Sequence, residues 1–137
     1  MNRQQAKQFI LSKPEAIEDF PFGPEVAVFK IKGKMFATLA LGTGNEKNTQ
    51  GKMAGHWCMN LKCKPDHADA LRSIFPAVIP GYHMNRTHWN TVILDGSIPN
   101  AEIENMINHS YSLIVRSLKK SERELLELHY SKEDLYL

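Results

Sequence analysis

The stretch Pro80-Gly81-Tyr82-His83-Met84-Asn85-Arg86-Thr87-His88-Trp89-Asn90-Thr91-Val92-Ile93-Leu94 holds the densest cluster of His, Asn, Tyr and Trp in the chain. It reads as one β-hairpin, with Tyr82–Asn85 and His88–Leu94 pairing antiparallel about a tip at Arg86-Thr87. Asn85-Arg86 is not a favoured two-residue turn of the Asn-Gly type, so a wider tip is expected. In this register Met84 faces Trp89, Tyr82 faces Thr91, His83 faces Asn90 and Asn85 faces His88. Directly opposed residues share a face of the sheet. One face then carries Tyr82, Met84, Trp89 and Thr91 and is mostly apolar. The other carries His83, Asn85, His88 and Asn90 and is wholly polar. A slip of one residue would mix the two sets, which selects this register.

Such a polar face suits either the solvated side of an antiparallel sheet or a ligand or nucleic-acid surface. It does not suit a metal: His83 and His88 have no Asp, Glu or Cys beside them, and two imidazoles alone make a poor zinc site. Nor does it suit hydrolytic acid–base chemistry, because no paired carboxylate accompanies the histidines. No metal or cofactor is therefore expected; an enzyme of unknown class, with His83 or His88 as base and Cys58 or Tyr82 as partner, stays a minor alternative, since no nucleophile–base–acid set is visible.

The rest of the chain divides by its periodicities. Asn2–Ser12 is an amphipathic helix with Ala6, Phe9, Ile10 and the stem of Arg3 on one stripe. Pro14 ends it, and Ala16–Phe20 is expected as a short helical turn. Phe20-Pro21-Phe22-Gly23 is too apolar for a free linker and is expected to seal one edge of the core. Val26–Ile31 and Met35–Leu41 are strands joined by Lys32-Gly33-Lys34. Gly42–Gly55 is a glycine-rich loop whose spacing matches neither phosphate-loop pattern, so nucleotide binding is rejected. His56–Lys62 alternates, placing Trp57, Met59 and Leu61 opposite His56, Cys58, Asn60 and Lys62. Asp66–Phe75 is a helix stopped by Pro76. A long helix runs from Ser97 or Pro99 to about Leu118, its stripe of Ile103, Met106, Ile107, Ser110, Leu113, Ile114 and Leu118 facing the core. Ser121 caps a last short helix, and Tyr130–Leu137 is expected as a loosely held tail. The order α-β-β-β-α-β-β-α-α implies one α+β domain over residues 1–137: two layers, a five-stranded antiparallel sheet with helices on one face. The other face, bearing the polar residues, is expected to be open.

At 137 residues, 42% hydrophobic and 23% charged, the chain is long enough for a real core and ordinary in composition. No apolar run approaches a membrane span, and Met1-Asn2-Arg3-Gln4-Gln5 lacks a signal core, so a cytoplasmic protein is expected. Cys58 and Cys63 have an odd spacing that places them on opposite faces of a regular strand. A disulfide between them is not expected, and neither they nor nearby His56 and His67 match a zinc spacing. Net charge is only +2. Its distribution is uneven: Lys30 to Lys64 holds seven lysines against Glu46 alone, while Ala101 to the end is net acidic. This asymmetry suits a polyanion-facing surface, although edge-strand lysines also serve to block aggregation.

Pro80-Gly81-Tyr82-His83-Met84-Asn85 followed by His88-Trp89-Asn90-Thr91-Val92 resembles the signature of the MmcQ/YjbR-like family of small bacterial proteins. Phe20-Pro21-Phe22-Gly23, Lys62-Cys63-Lys64-Pro65 and His109-Ser110-Tyr111 extend the resemblance over roughly Glu15 to Lys120. It implies a two-layer fold akin to the CyaY-like and secretion-chaperone-like folds, and a DNA-binding role through paired β-hairpin wings. On this reading Lys32, Lys34 and Arg86 at hairpin tips touch phosphates, and Lys62, His83, Asn85, His88 and Asn90 complete a duplex-DNA surface. The alternative is a protein-interaction or chaperone-like module without nucleic acid.

Overall fold

A computed structural model describes every residue from Met1 to Leu137. The first helix, α1 (Arg3–Leu11), starts where Asn2 can cap it. Asn2 Oδ1 accepts the Gln5 N–H at 2.8 Å and Gln5 Oε1 accepts the Asn2 N–H at 2.9 Å, a reciprocal capping box. Strands β1 (Ile17–Asp19), β2 (Val26–Ile31), β3 (Lys34–Leu41) and β4 (Trp57–Lys62) follow, then α2 (Pro65–Ile74), opened by a proline that lacks the N–H a first turn cannot use. Strands β5 (Val78–Pro80) and β6 (Trp89–Ile93) precede α3 (Asn100–Ser117), α4 (Lys120–His129) and α5 (Lys132–Tyr136).

The strands form one antiparallel sheet in the order β1-β2-β3-β4-β6-β5. The expected α+β architecture is present, with six strands rather than five. The additional strand is β1: Ile17–Asp19, expected as a helical turn, pairs with Val28–Lys30. Along the registers, Ala27, Phe29, Ala37, Leu39, Met59, Leu61 and Val92 share one face and pack beneath the helices in a continuous core. The register shifts at Phe29/Lys30, leaving Phe36 as the extra residue of a bulge. Its ring meets Tyr111 of α3 edge-to-face at 5.1 Å. Its carbonyl accepts the Ser110 hydroxyl at 2.5 Å, and Ser110 Oγ in turn accepts the Lys62 N–H at 2.9 Å. One buried serine thus satisfies two backbone groups the interrupted ladder leaves over.

Several expectations are corrected. The central hairpin pairs Pro80 with Asn90, Ile79 with Thr91 and Val78 with Val92, and Tyr82–Asn85 is not a strand. This reverses the side on which Asn90 lies. It shares a face with Leu61 and Val92 and is only 2% exposed beneath α2. Trp89 remains buried and His83 and His88 remain exposed, as expected. The separation of polar from apolar residues failed at Asn90 because its amide finds partners inside: Oδ1 accepts from Arg72 Nε at 2.7 Å and Nδ2 donates to the Ala68 carbonyl at 3.5 Å. Phe20 and Phe22 do not seal the core; they are 45% and 72% exposed. The C-terminal segment is docked rather than loose, with Leu135 of α5 fully buried against the α3 layer. Ser121 lies inside α4, whose N-cap is Lys119 with no side-chain cap. Finally, the sheet face away from the helices is not open. Val28, Thr38, Cys58, Thr91 and Ile93 are buried there, and loops 42–56 and 81–88 lie over Thr38, Cys58 and Thr91.

Candidate functional site

Two loops build the site. Loop 81–88 is held at its root by a cycle across the neighbouring strands. Asn60 and Thr91 are register partners on β4 and β6. The Thr91 hydroxyl donates to Asn60 Oδ1 at 2.5 Å, the Tyr82 N–H donates to Thr91 Oγ1 at 2.9 Å, and Asn60 Nδ2 donates to the Tyr82 carbonyl at 3.3 Å. At its return the loop is held by Arg72 of α2, whose NH2 nitrogen donates to the carbonyls of Arg86 and Trp89. Gly81 is required between these anchors: a Cβ there would lie 2.9 Å from the Trp89 Cβ and 3.0 Å from that of Met84.

Loop 42–56 is closed by Gly42, whose N–H donates to the His56 carbonyl at 2.8 Å and whose carbonyl accepts the Gly55 N–H at 3.0 Å. Met53 is its apolar anchor. The Glu46 carboxylate ties the loop internally, accepting the Thr43 N–H and hydroxyl at 2.9 and 2.7 Å and the Gly44 N–H at 3.0 Å. Partial burial opposes its charge, but the hydrogen bonds from Thr43 and Gly44 outweigh this and hold the carboxyl below its usual value.

Between the loops lies a cleft of about 440 Å³. Lys47, Lys52 and Arg86 supply three exposed cations, His83, Asn48 and Gln50 supply hydrogen-bonding groups, and no carboxylate lines it. With no carboxylate in the lining itself, the fields of the three cations add across the cleft. Asn48, Gln50 and His83 hold left-handed φ values of 63°, 56° and 59°, a conformation non-glycine residues adopt at a cost. The Tyr82 and His83 rings lie against each other with centroids 4.1 Å apart. Both also border a second, apolar cleft of about 410 Å³ lined by Phe22, Val26, Ala40, Leu41 and Met53.

Of the residues expected at a nucleic-acid surface, the fold brings together His83 and Arg86. Lys32 is paired with Glu15 at 3.0 Å, and Lys34 donates to the Ser117 carbonyl at 2.9 Å. Lys62 is half-buried at the end of β4, and His88 is exposed outside the cleft. Asn85 Oδ1 accepts the N–H groups of Thr87 and His88 at 2.9 and 3.2 Å, so its side chain shapes the loop. Asn90 is interior. Lys47 and Lys52 were the cations sequence reading missed; the lysine excess between Lys30 and Lys64 was their signal. Burial pushes the Cys58 thiol to about 12 and raises that of Cys63, which leaves neither with thiolate character for catalysis.

A family model described as YjbR matches residues 11–113. Among curated proteins, the uncharacterized protein YbdF of Escherichia coli O157:H7 is 34% identical over 87% of this chain and 88% of its own length. The uncharacterized protein YjbR of Escherichia coli K12 is 30% identical over 87% and 92%. Among solved structures, Deinococcus radiodurans DR2400, with a DUF419 domain, superposes with a TM-score of 0.76 at 29% identity, covering 92% of this chain and 88% of that one. A Pseudomonas syringae protein superposes with a TM-score of 0.73 at 32% identity, covering 82% and 98%.

Proposed function

The chain belongs to the YjbR family, and from that premise we propose that it binds duplex DNA through the cleft between loops 42–56 and 81–88. The observation that carries this reading is the convergence of Lys47, Lys52 and Arg86 on one carboxylate-free cleft. Phosphates would be met by these three side chains, while His83, Asn48 and Gln50 would add hydrogen bonds to backbone or base edges. Two free thiols fit a reducing compartment, so a cytoplasmic location is part of the proposal. No helix is long and apolar enough to cross a membrane. Three cationic contacts correspond to a salt dependence of roughly −2.7 in log K against log salt. Fluorescence polarisation of a labelled duplex, titrated at low and moderate salt, tests this. Absence of binding by folded protein at low salt overturns it, as does a Lys47→Ala/Lys52→Ala/Arg86→Ala variant that binds as well as the parent.

A protein-interaction role is the second reading, favoured by the apolar cleft and by Phe22 standing largely exposed beside it. A partner held there survives salt and is lost in Phe22→Ser, whereas a duplex held by phosphate contacts is released by salt.

A further inference from the structure

Away from that cleft, on the helical side of the sheet, three side chains from separate places in the sequence converge. Cys63 directly follows β4, His67 lies in the first turn of α2, and His109 lies in the middle of α3. Their ligand-capable atoms all lie within 4.8 Å of one another. We propose that Cys63, His67 and His109 form a binding site for a zinc-class divalent cation that ties the start of α2 to α3.

The backbone around the three is fixed. The Cys63 N–H donates to the His88 carbonyl at 2.8 Å, and Ser110, next to His109, accepts the N–H of Lys62, next to Cys63, at 2.9 Å. The His67 and His109 rings meet edge-to-face at 5.1 Å. His109 Nε2 is buried with no hydrogen-bond partner, which costs free energy in any arrangement that leaves it so. Cys63 is a free thiol only 5% exposed. The three border a pocket of about 150 Å³ whose other walls include Leu61, Val92 and Met106.

One thiolate and two imidazoles are the donors a zinc-class ion prefers over magnesium or calcium. With Zn–N of about 2.0–2.1 Å and Zn–S of about 2.3 Å, a tetrahedron places these donor atoms roughly 3.3–3.6 Å apart. The site therefore has to contract by up to about 1.5 Å at its widest, toward which the exposed His67 side chain can rotate. Binding replaces the Cys63 S–H bond by a sulfur–metal bond, and the proton leaves to solvent. Water completes the fourth position. The pocket wall carries one carboxylate, the exposed Glu102, and one ammonium, Lys62.

The test uses the full chain stripped with a chelator and titrated with Co²⁺, then Zn²⁺. The expected result is one equivalent of Co²⁺ with a sulfur-to-cobalt charge-transfer band, displaced by Zn²⁺. Cys63→Ser abolishes that band. His67→Asn, at an exposed position where folding is not at stake, weakens Co²⁺ binding by more than the roughly 10–100-fold typical of losing an outer-shell partner. Folded parent protein that binds no equivalent, or that shows no charge-transfer band, overturns the proposal. So does a His67→Asn variant with unchanged affinity and spectrum, which decides the matter even if Cys63→Ser does not fold.

Discussion

Arg72 Nε donates to Asn90 Oδ1 at 2.7 Å, and this contact ties α2 to β6, a strand it does not adjoin in sequence. The same guanidinium also holds the Arg86 and Trp89 carbonyls, so the return of the cleft's loop hangs from a helix on the other layer. Arg72→Met keeps the length of the stem and removes every donor. It leaves Asn90 Oδ1 buried and unpaired, at a cost of about 1–3 kcal/mol. Urea unfolding should show a lower midpoint with an unchanged slope, and amide exchange in residues 84–88 should accelerate.

The two loop-root glycines differ from the turn glycine in what a methyl group would meet. At Gly42 a Cβ would lie 1.8 Å from the Met53 carbonyl oxygen, whereas at Gly33 nothing lies within 4 Å. Gly33→Ala meets only the left-handed φ of 81° and should cost about 1–2 kcal/mol. Gly42→Ala forces backbone to move and should cost about 1–3 kcal/mol or more. It should also shift the NMR signals of Lys47 and Lys52, because their loop must be redrawn. Equal losses for both variants would remove the close-approach argument.

The cleft makes a prediction that separates it from the surface expected of the sequence alone. Lys47→Ala/Lys52→Ala should weaken duplex binding and flatten its salt dependence by about 1.8 in log–log slope. Lys32→Ala/Lys34→Ala should leave both nearly unchanged, since those side chains are engaged with Glu15 and the Ser117 carbonyl. Polarisation titrations of the two double variants in parallel decide between them.

Acid should loosen loop 42–56 before the core. The folded Glu46 carboxyl titrates below its ordinary value of 4.5. A depressed folded value means its contribution is complete above 4.5 and is lost as pH falls through the lower folded value. Amide signals of Thr43 and Gly44 should follow this titration. Glu46→Gln, which cannot ionise, should abolish the dependence.

Leu135 is fully buried in a helix of only five residues, Lys132–Tyr136. Leu135→Ala should destabilise the whole domain by about 2–5 kcal/mol, the usual range for such a truncation in a core. A loss within 0.5 kcal/mol would mean the segment is a loose tail after all.

Strands β2 and β4 and helix α3 were legible within a residue or two: β2 by its β-branched content, and β4 and α3 because each repeats its apolar pattern over enough positions to exclude the other period. The α+β class followed from their order. Strand β1 was not legible: three residues, Ile17-Glu18-Asp19, carry no alternation, and only pairing with β2 makes them a strand. The docked tail was missed because Leu135-Tyr136-Leu137 is a run of three after a charged stretch, too short to show a period.

Local chemistry alone settled strands β2, β3 and β4 and helices α1, α2 and α3, where the glycine-rich loop falls, and that His83 and Arg86 face water. Tertiary structure alone decided that Asn90 turns inward to Arg72, that Lys47 and Lys52 meet Arg86 across a cleft, and that His109 arrives beside Cys63 and His67. The physical reason is common to all three. Periodicity reports which side of its own element a residue occupies. A buried amide, a shared field or a set of metal donors depends instead on what a distant element places opposite it.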